Sequence, residues 1–139
     1  MSTRHVNATD LDALLDRIAT HHFRAKFHLR PAEASFVALR GLGTVRRHAY
    51  ELLATRLVPA HPKRDGKQTP WGGHPVFRAQ HATGTCCRTC LSRTHKIRAG
   101  RDLTDEELDY VVDVICRWVE REVRQHRPGE ARPVTDPPV

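Results

Sequence analysis

The stretch from Thr104 to Val123 admits one local structure. Thr104-Asp105-Glu106-Glu107 reads as a capping box, in which the Thr104 hydroxyl and the Glu107 carboxylate satisfy opposite backbone donors at a helix start. Leu108, Val111, Val112, Ile115, Val119 and Val123 then recur at helical spacing. They form an apolar stripe about five turns long. The remaining face is acidic early and basic late, which complements the helix dipole.

The rest of the chain carries shorter helical patterns. Thr9 to Ala19 reads as a helix capped by Thr9 or Asp10, with Leu11, Leu14, Leu15 and Ile18 on one stripe. A second helix starts after Arg30, with Pro31 at the first helical position, and carries Ala34, Phe36, Val37 and Ala38 as far as Leu39. Gly41-Leu42-Gly43 breaks it. A third, from Thr44 to Leu57, aligns Val45, Ala49, Leu52, Leu53 and Leu57 and ends before Pro59. Two short helices are expected after Pro75, with Val76, Phe77 and His81 inward, and from Thr85 to about Thr94.

Residues 59–75 hold four prolines, three glycines and no apolar period, so they are expected to form a long ordered loop or a flap. No segment alternates as a strand does. The expected fold is therefore mainly α, a compact bundle of about five or six helices with a long Pro/Gly-rich ordered loop and no convincing sheet. Residues 1–22 are expected to be an amino-terminal helix or extension, 23–125 a single helical domain, and 126–139 a disordered Pro-rich tail.

A length of 139 residues suits one domain. No apolar run approaches the roughly 20 residues that cross a bilayer. The amino terminus lacks the basic-then-apolar order of an export signal. The expectation is a cytoplasmic protein without a membrane role, in which four cysteines favour metal or thiol chemistry over disulfides.

The cysteines and histidines concentrate between His74 and His95, where 22 residues contain three of each. Cys87 and Cys90 form a C-x2-C pair, a spacing that brings both sulfurs to one side of a helical turn where they can chelate one ion. His95 lies five positions after Cys90 and His81 six before Cys87, so a tetrahedral zinc site of Cys87, Cys90, His81 and His95 is geometrically possible. Cys86 and His74 are alternates. Buried cysteines acting as small hydrophobes, or a reactive thiol at Cys86 or Cys87, are the competing readings. Cys116, beside the apolar stripe, reads as structural.

The net charge of +7 is uneven: +2 over residues 1–30, +10 over 31–101 and −5 over 102–139. A basic middle of that size argues for a polyanionic partner such as DNA or RNA. Arg46 and Arg47 follow Gly41-Leu42-Gly43, which resembles the hairpin of helix-hairpin-helix modules. It departs from them in Arg40, where proline is usual, and in the late position of Ala49. A glycine helix cap followed by a new helix is the competing reading. Lys63, Arg64, Lys67 and Trp71 mix charge with a ring that could stack on a base. Arg78 and Arg88 complete the candidate nucleic-acid contacts.

The segment DGKQTPWGGHPVFRAQHATGTCCRTCLSRTHKI, followed by LTDEELDYVVDVICRW, resembles the bacterial family called domain of unknown function 4186. The resemblance runs from about Phe23 to about Val123, with Thr94 standing where an aromatic is expected. It implies no activity, substrate or cofactor, so function rests on the residues. The leading expectation is a zinc-pinned helical domain that contacts nucleic acid through its basic middle. The alternative is an enzyme using His81 with Cys86 or Cys87, as catalytic zinc or thiolate, under a 59–75 flap. Gln80 and Asp65 would assist it as orienting and acid/base groups. A protein-interaction module using the acidic face of the last helix is the third.

Overall fold

The structure, a computed structural model, describes residues 6–125; the 126–139 tail lies outside the described residues. Six helices follow in order: α1 (Ala8–Ile18), α2 (His22–Ala25), α3 (Pro31–Arg56), α4 (Pro75–Thr83), α5 (Arg88–His95) and α6 (Asp105–Gln125). No strand occurs among the described residues. The fold is mainly α, as the periodicity predicts. No described helix is long and apolar enough to cross a membrane.

The capping box forms as expected. The Thr104 N–H donates to Glu107 Oε1 and the Glu107 N–H to Thr104 Oγ1, each at 3.0 Å. Burial on α6 is wider than the apolar stripe, because α1, α3 and α4 all pack on it. Tyr110, Val114 and Cys116 are therefore buried together with Val111, Val112, Ile115 and Val119. The α1 cap is Asn7 rather than Thr9 or Asp10, its Oδ1 accepting from the Asp10 N–H at 2.8 Å. Asp12 of α1 accepts a bidentate pair from Arg117 of α6 at 2.8 Å, which holds its carboxyl down at about 2.

The two central helices expected on either side of Gly41-Leu42-Gly43 are present as two arms of α3 that meet at a kink, and the break is narrowed to Gly41 alone. Gly41 sits at φ 86°, ψ 159°, a region that side-chain-bearing residues avoid, and the chain is helical on both sides of it. Val45, Ala49 and Leu53, all fully buried, follow the kink and pack toward α6. Arg46 turns onto α6 as well, 2.9 Å from Asp113.

Two arginines, Arg78 half-buried and Arg88 buried, organise the remainder. Arg78 of α4 makes a two-point contact with Glu33 of α3, at 3.0 and 3.1 Å. The same carboxylate accepts the backbone N–H groups of Arg30 and Gly73. Arg88 is 0% exposed. Its Nη1 donates to the carbonyls of Leu57, Val58 and Pro59, and its Nη2 to those of Arg98 and Arg101, at 2.8–3.4 Å. One side chain thus ties the end of α3, the start of α5 and the turn before α6.

Replacing Arg88 with Met keeps the bulk and removes five donor contacts to buried carbonyls. Arg88→Met is expected to lower stability by about 3–5 kcal/mol, since carbonyls without partners carry the desolvation cost. Urea denaturation followed by circular dichroism checks this; a loss below about 1 kcal/mol would mean that water replaces the guanidinium without penalty.

His74 caps α4 through Nδ1, which accepts the Val76 N–H at 3.0 Å, while its Nε2 lies 3.0 Å from His48 Nδ1. Burial, followed by the charge of His48, lowers its pKa from 6.5 to about 4. The folded state therefore favours the neutral ring. Its contribution is complete above pH 6.5 and is lost as pH falls through the window down to about 4. The denaturation midpoint should decline over that window, and His74→Asn, which can still cap α4, should flatten the decline. Equal slopes for the two proteins would remove His74 as the cause.

Candidate metal centre

The turn between α4 and α5 is built to place three sulfurs together. Gly84 ends α4 in the left-handed region, at φ 74°, ψ 30°. A Cβ there would lie 2.5 Å from Thr94 Oγ1, so glycine satisfies both the backbone angle and the close approach of α5. Cys87 is then the N-cap of α5, and its Sγ accepts the Cys90 N–H at 3.4 Å. The C-x2-C pair is thus an N-cap and the residue three positions into the helix. Two contacts hold this turn from outside: Thr69 Oγ1 donates to the Cys86 carbonyl at 2.8 Å, and the Arg88 N–H donates to Asp65 Oδ1 at 3.2 Å.

The Sγ atoms of Cys86, Cys87 and Cys90 all lie within 4.8 Å of one another, a group that could hold a metal ion. Cys86 and Cys87 are buried and Cys90 is half-buried. A tetrahedral ion at about 2.3 Å from each sulfur would set them roughly 3.8 Å apart, so small rotations suffice. Arg24 of α2 is the neighbouring cation. Its Nη1 donates to the His81 carbonyl at 2.7 Å and lies 3.7 Å from Cys86 Sγ.

The histidines expected to complete the site are placed elsewhere. His95 is buried with Nδ1 2.8 Å from the Tyr110 hydroxyl and Nε2 2.8 Å from the Thr83 carbonyl, so both ring nitrogens are engaged. His74 caps α4. His81 is near the sulfurs, yet its Nε2 donates to the carbonyls of Thr69 and Pro70, at 3.2 and 3.1 Å. Burial lowers its pKa, which keeps the ring neutral. Cys86, considered only as an alternate ligand, takes a full place in the group.

The sulfurs form the floor of a pocket of about 560 Å³. Its walls come from α2, α4 and the 64–71 segment, with Phe23, Arg24, Arg64, Lys67, Trp71 and His81 among them. Among the described residues, no carboxylate lines it. Trp71 is stacked on His81, ring centres 4.2 Å apart, and remains 62% exposed. The 59–75 loop is pinned along its length rather than hanging over the site. Arg56 Nη1 holds the Gln68 carbonyl, Asp102 Oδ1 accepts the Ala60 N–H, and Glu33 accepts the Gly73 N–H.

The other candidates divide. Gln80 is fully buried with its amide on the Thr85 carbonyl, outside the pocket lining. Asp65 receives Gln68 Nε2 and the Arg88 N–H on one oxygen, a structural contact. Arg46 and Arg78 are paired with Asp113 and Glu33, Arg46 at the surface, and full burial of Arg88 excludes contact with any partner. Arg47, Lys63, Arg64 and Lys67 are exposed. Arg24 and Phe23 were not singled out by the sequence; no local spacing connects them to cysteines more than 60 positions away.

Hydrogen bonds from the Cys86 and Cys87 thiols, then from Arg24, lower the pKa of Cys90. Donating those bonds and being buried push Cys86 up, and burial pushes Cys116 up to about 11. In metal-stripped protein at neutral pH, iodoacetamide should therefore modify Cys90 first, and the buried Cys86 and Cys116 last, read by peptide mass spectrometry. Arg24→Met should slow the Cys90 reaction. Uniform labelling of all four would contradict the arrangement.

No solved structure matches the chain. A family model matches residues 12–120, which include every residue of the sulfur cluster and its pocket. With most of its length covered, the chain belongs to the family described as domain of unknown function (DUF4186).

Proposed function

We propose that this protein is a metal-centred binding domain, in which Cys86, Cys87 and Cys90 hold one zinc ion and leave its fourth position facing the pocket. The observation that carries the reading is the grouping of three sulfurs within 4.8 Å on the pocket floor, with no fourth side chain in the group among the described residues. Sulfur-rich donor sets select zinc among the common divalent ions. Structural zinc sites are closed by four protein ligands, whereas three ligands and an open position mark sites where an outside molecule binds.

Charge supports the same reading. Three thiolates and a divalent ion leave one negative charge, and Arg24 stands beside it as a partner. Hydrolysis by a bound water would need a nearby proton carrier. With Asp65 tied to the start of α5, His81 Nε2 spent on the Thr69 and Pro70 carbonyls, and no carboxylate in the pocket lining among the described residues, binding is the better supported role. Contact with nucleic acid becomes narrower than the charge of the middle segment implies. What supports it is the exposed group of Lys63, Arg64 and Lys67, gathered with Arg56 beside the pocket.

Elemental analysis of tag-free protein purified without added metal is expected to find about one zinc per chain. A Cys87→Ser, Cys90→Ser double variant is expected to lose it, whereas His95→Gln should keep it if folded. Metal-free wild type with three titratable thiols in this turn would overturn the reading.

A further inference from the structure

We infer that the pocket above the three sulfurs takes a flat aromatic ring carrying a phosphate, the chemistry of a nucleotide. The inference rests on the preceding reading for its view of the pocket floor as an ion-binding surface. It adds the class of ligand, which is carried by the walls.

Two large aromatic side chains stand uncovered at this place, Trp71 at 62% and Phe23 at 44% exposure. The two rings adjoin, centres 6.4 Å apart, and adjoining exposed apolar side chains beside a pocket mark a binding surface rather than scattered surface residues. Trp71 is not loose. It is held by His81 at 4.2 Å, by Phe27 in a near-parallel arrangement at 6.1 Å, and by the edge of Phe23 at 6.4 Å. A ring fixed in this way, with much of its area free, is a platform for another flat ring.

The charge on the walls specifies the other half of the ligand. Arg64 and Lys67 line the pocket, and neither forms an ion pair among the described residues. Arg24 is taken up by the His81 carbonyl and Cys86, so these two are cations in surplus of what the thiolates engage. Arg64 has φ 56°, a left-handed conformation that is uncommon for a long side chain. Its carbonyl accepts the Lys67 N–H at 2.7 Å, closing the turn that carries both cations. Arg56 and Lys63 extend the basic edge outward from Arg64 and Lys67. An anion with several acceptor oxygens suits that edge, and a phosphate supplies them. The pocket volume of about 560 Å³ falls within the range of small-molecule sites.

Base plus phosphate is found both in a free mononucleotide and in an unpaired nucleotide of a single strand, and the test separates the two. In full-length Trp118→Phe protein, Trp71 is the only tryptophan, so its fluorescence reports on the pocket. The four ribonucleoside 5′-monophosphates, the matching nucleosides, inorganic phosphate and an eight-nucleotide single-stranded DNA are each titrated. Zinc content is measured on the same sample. At least one monophosphate or the oligonucleotide should quench Trp71 saturably. The nucleoside lacking phosphate should bind at least tenfold more weakly, and Arg64→Ala with Lys67→Ala should weaken binding at least tenfold. A free monophosphate that binds as well as the strand assigns the pocket to nucleotides; a strand that binds tenfold tighter assigns it to single-stranded nucleic acid. Absence of saturable quenching by every monophosphate and by the oligonucleotide would overturn the inference, as would a nucleoside binding as tightly as its monophosphate. Zinc-loaded protein that binds none of them would leave the metal reading standing alone. Binding by protein that holds no metal would remove the metal reading and keep the ligand.

Discussion

A single buried guanidinium determines where the sulfurs are. Arg88 immediately follows the Cys86-Cys87 pair, and its five carbonyl partners belong to two turns that lie far apart in the sequence. A buried cation is costly unless its donors are satisfied, and here carbonyl dipoles rather than a carboxylate do most of the satisfying. Because those carbonyls sit at the end of α3 and before α6, the start of α5 has one position relative to both. Desolvation lowers the Arg88 pKa, with the nearby charge of Arg101 acting the same way.

From that anchor the site follows as a chain of local constraints. Gly84 lets α4 stop tightly against α5, Cys87 caps the next helix with its sulfur, and Cys90 arrives one turn later on the same side. Thr69 and Asp65 tie the preceding loop to the same turn, so the pocket walls and the sulfur floor are set by one group of contacts. The Glu33–Arg78 pair fixes the far end of the loop at Gly73. A loop fastened at so many points behaves as a wall, which is why a closing flap is the less suitable description of residues 59–75.

The parts of the fold that are governed by local rules were legible in the sequence. The Thr104 capping box, the α6 stripe, Pro31 at the start of α3 and the C-x2-C pair all depend on residues within a few positions of one another. The α1 cap was misplaced by two or three positions because Asn7, Thr9 and Asp10 are all competent capping residues. The break at Gly41 was legible by the same local rules, since a glycine at positive φ separates the two arms of α3, and the structure only narrows it from three residues to one. The ligand set was less legible. His95 has suitable spacing, but Tyr110 and Thr83 are closer to its nitrogens than any sulfur group, and that pairing joins α4, α5 and α6. Net charge is a coarse guide for a related reason: it counts Arg78 and Arg88 as surface cations, whereas Glu33 pairs with the first and burial removes the second.

The central claim is an ion held by three sulfurs with its fourth position open. X-ray absorption at the zinc edge of the purified protein addresses it directly. The account predicts about three sulfur neighbours near 2.3 Å and one lighter neighbour near 2.0 Å, the latter changing when a ligand enters the pocket. Two sulfurs with two histidine nitrogens, unchanged by any ligand, would show a closed structural site and contradict it.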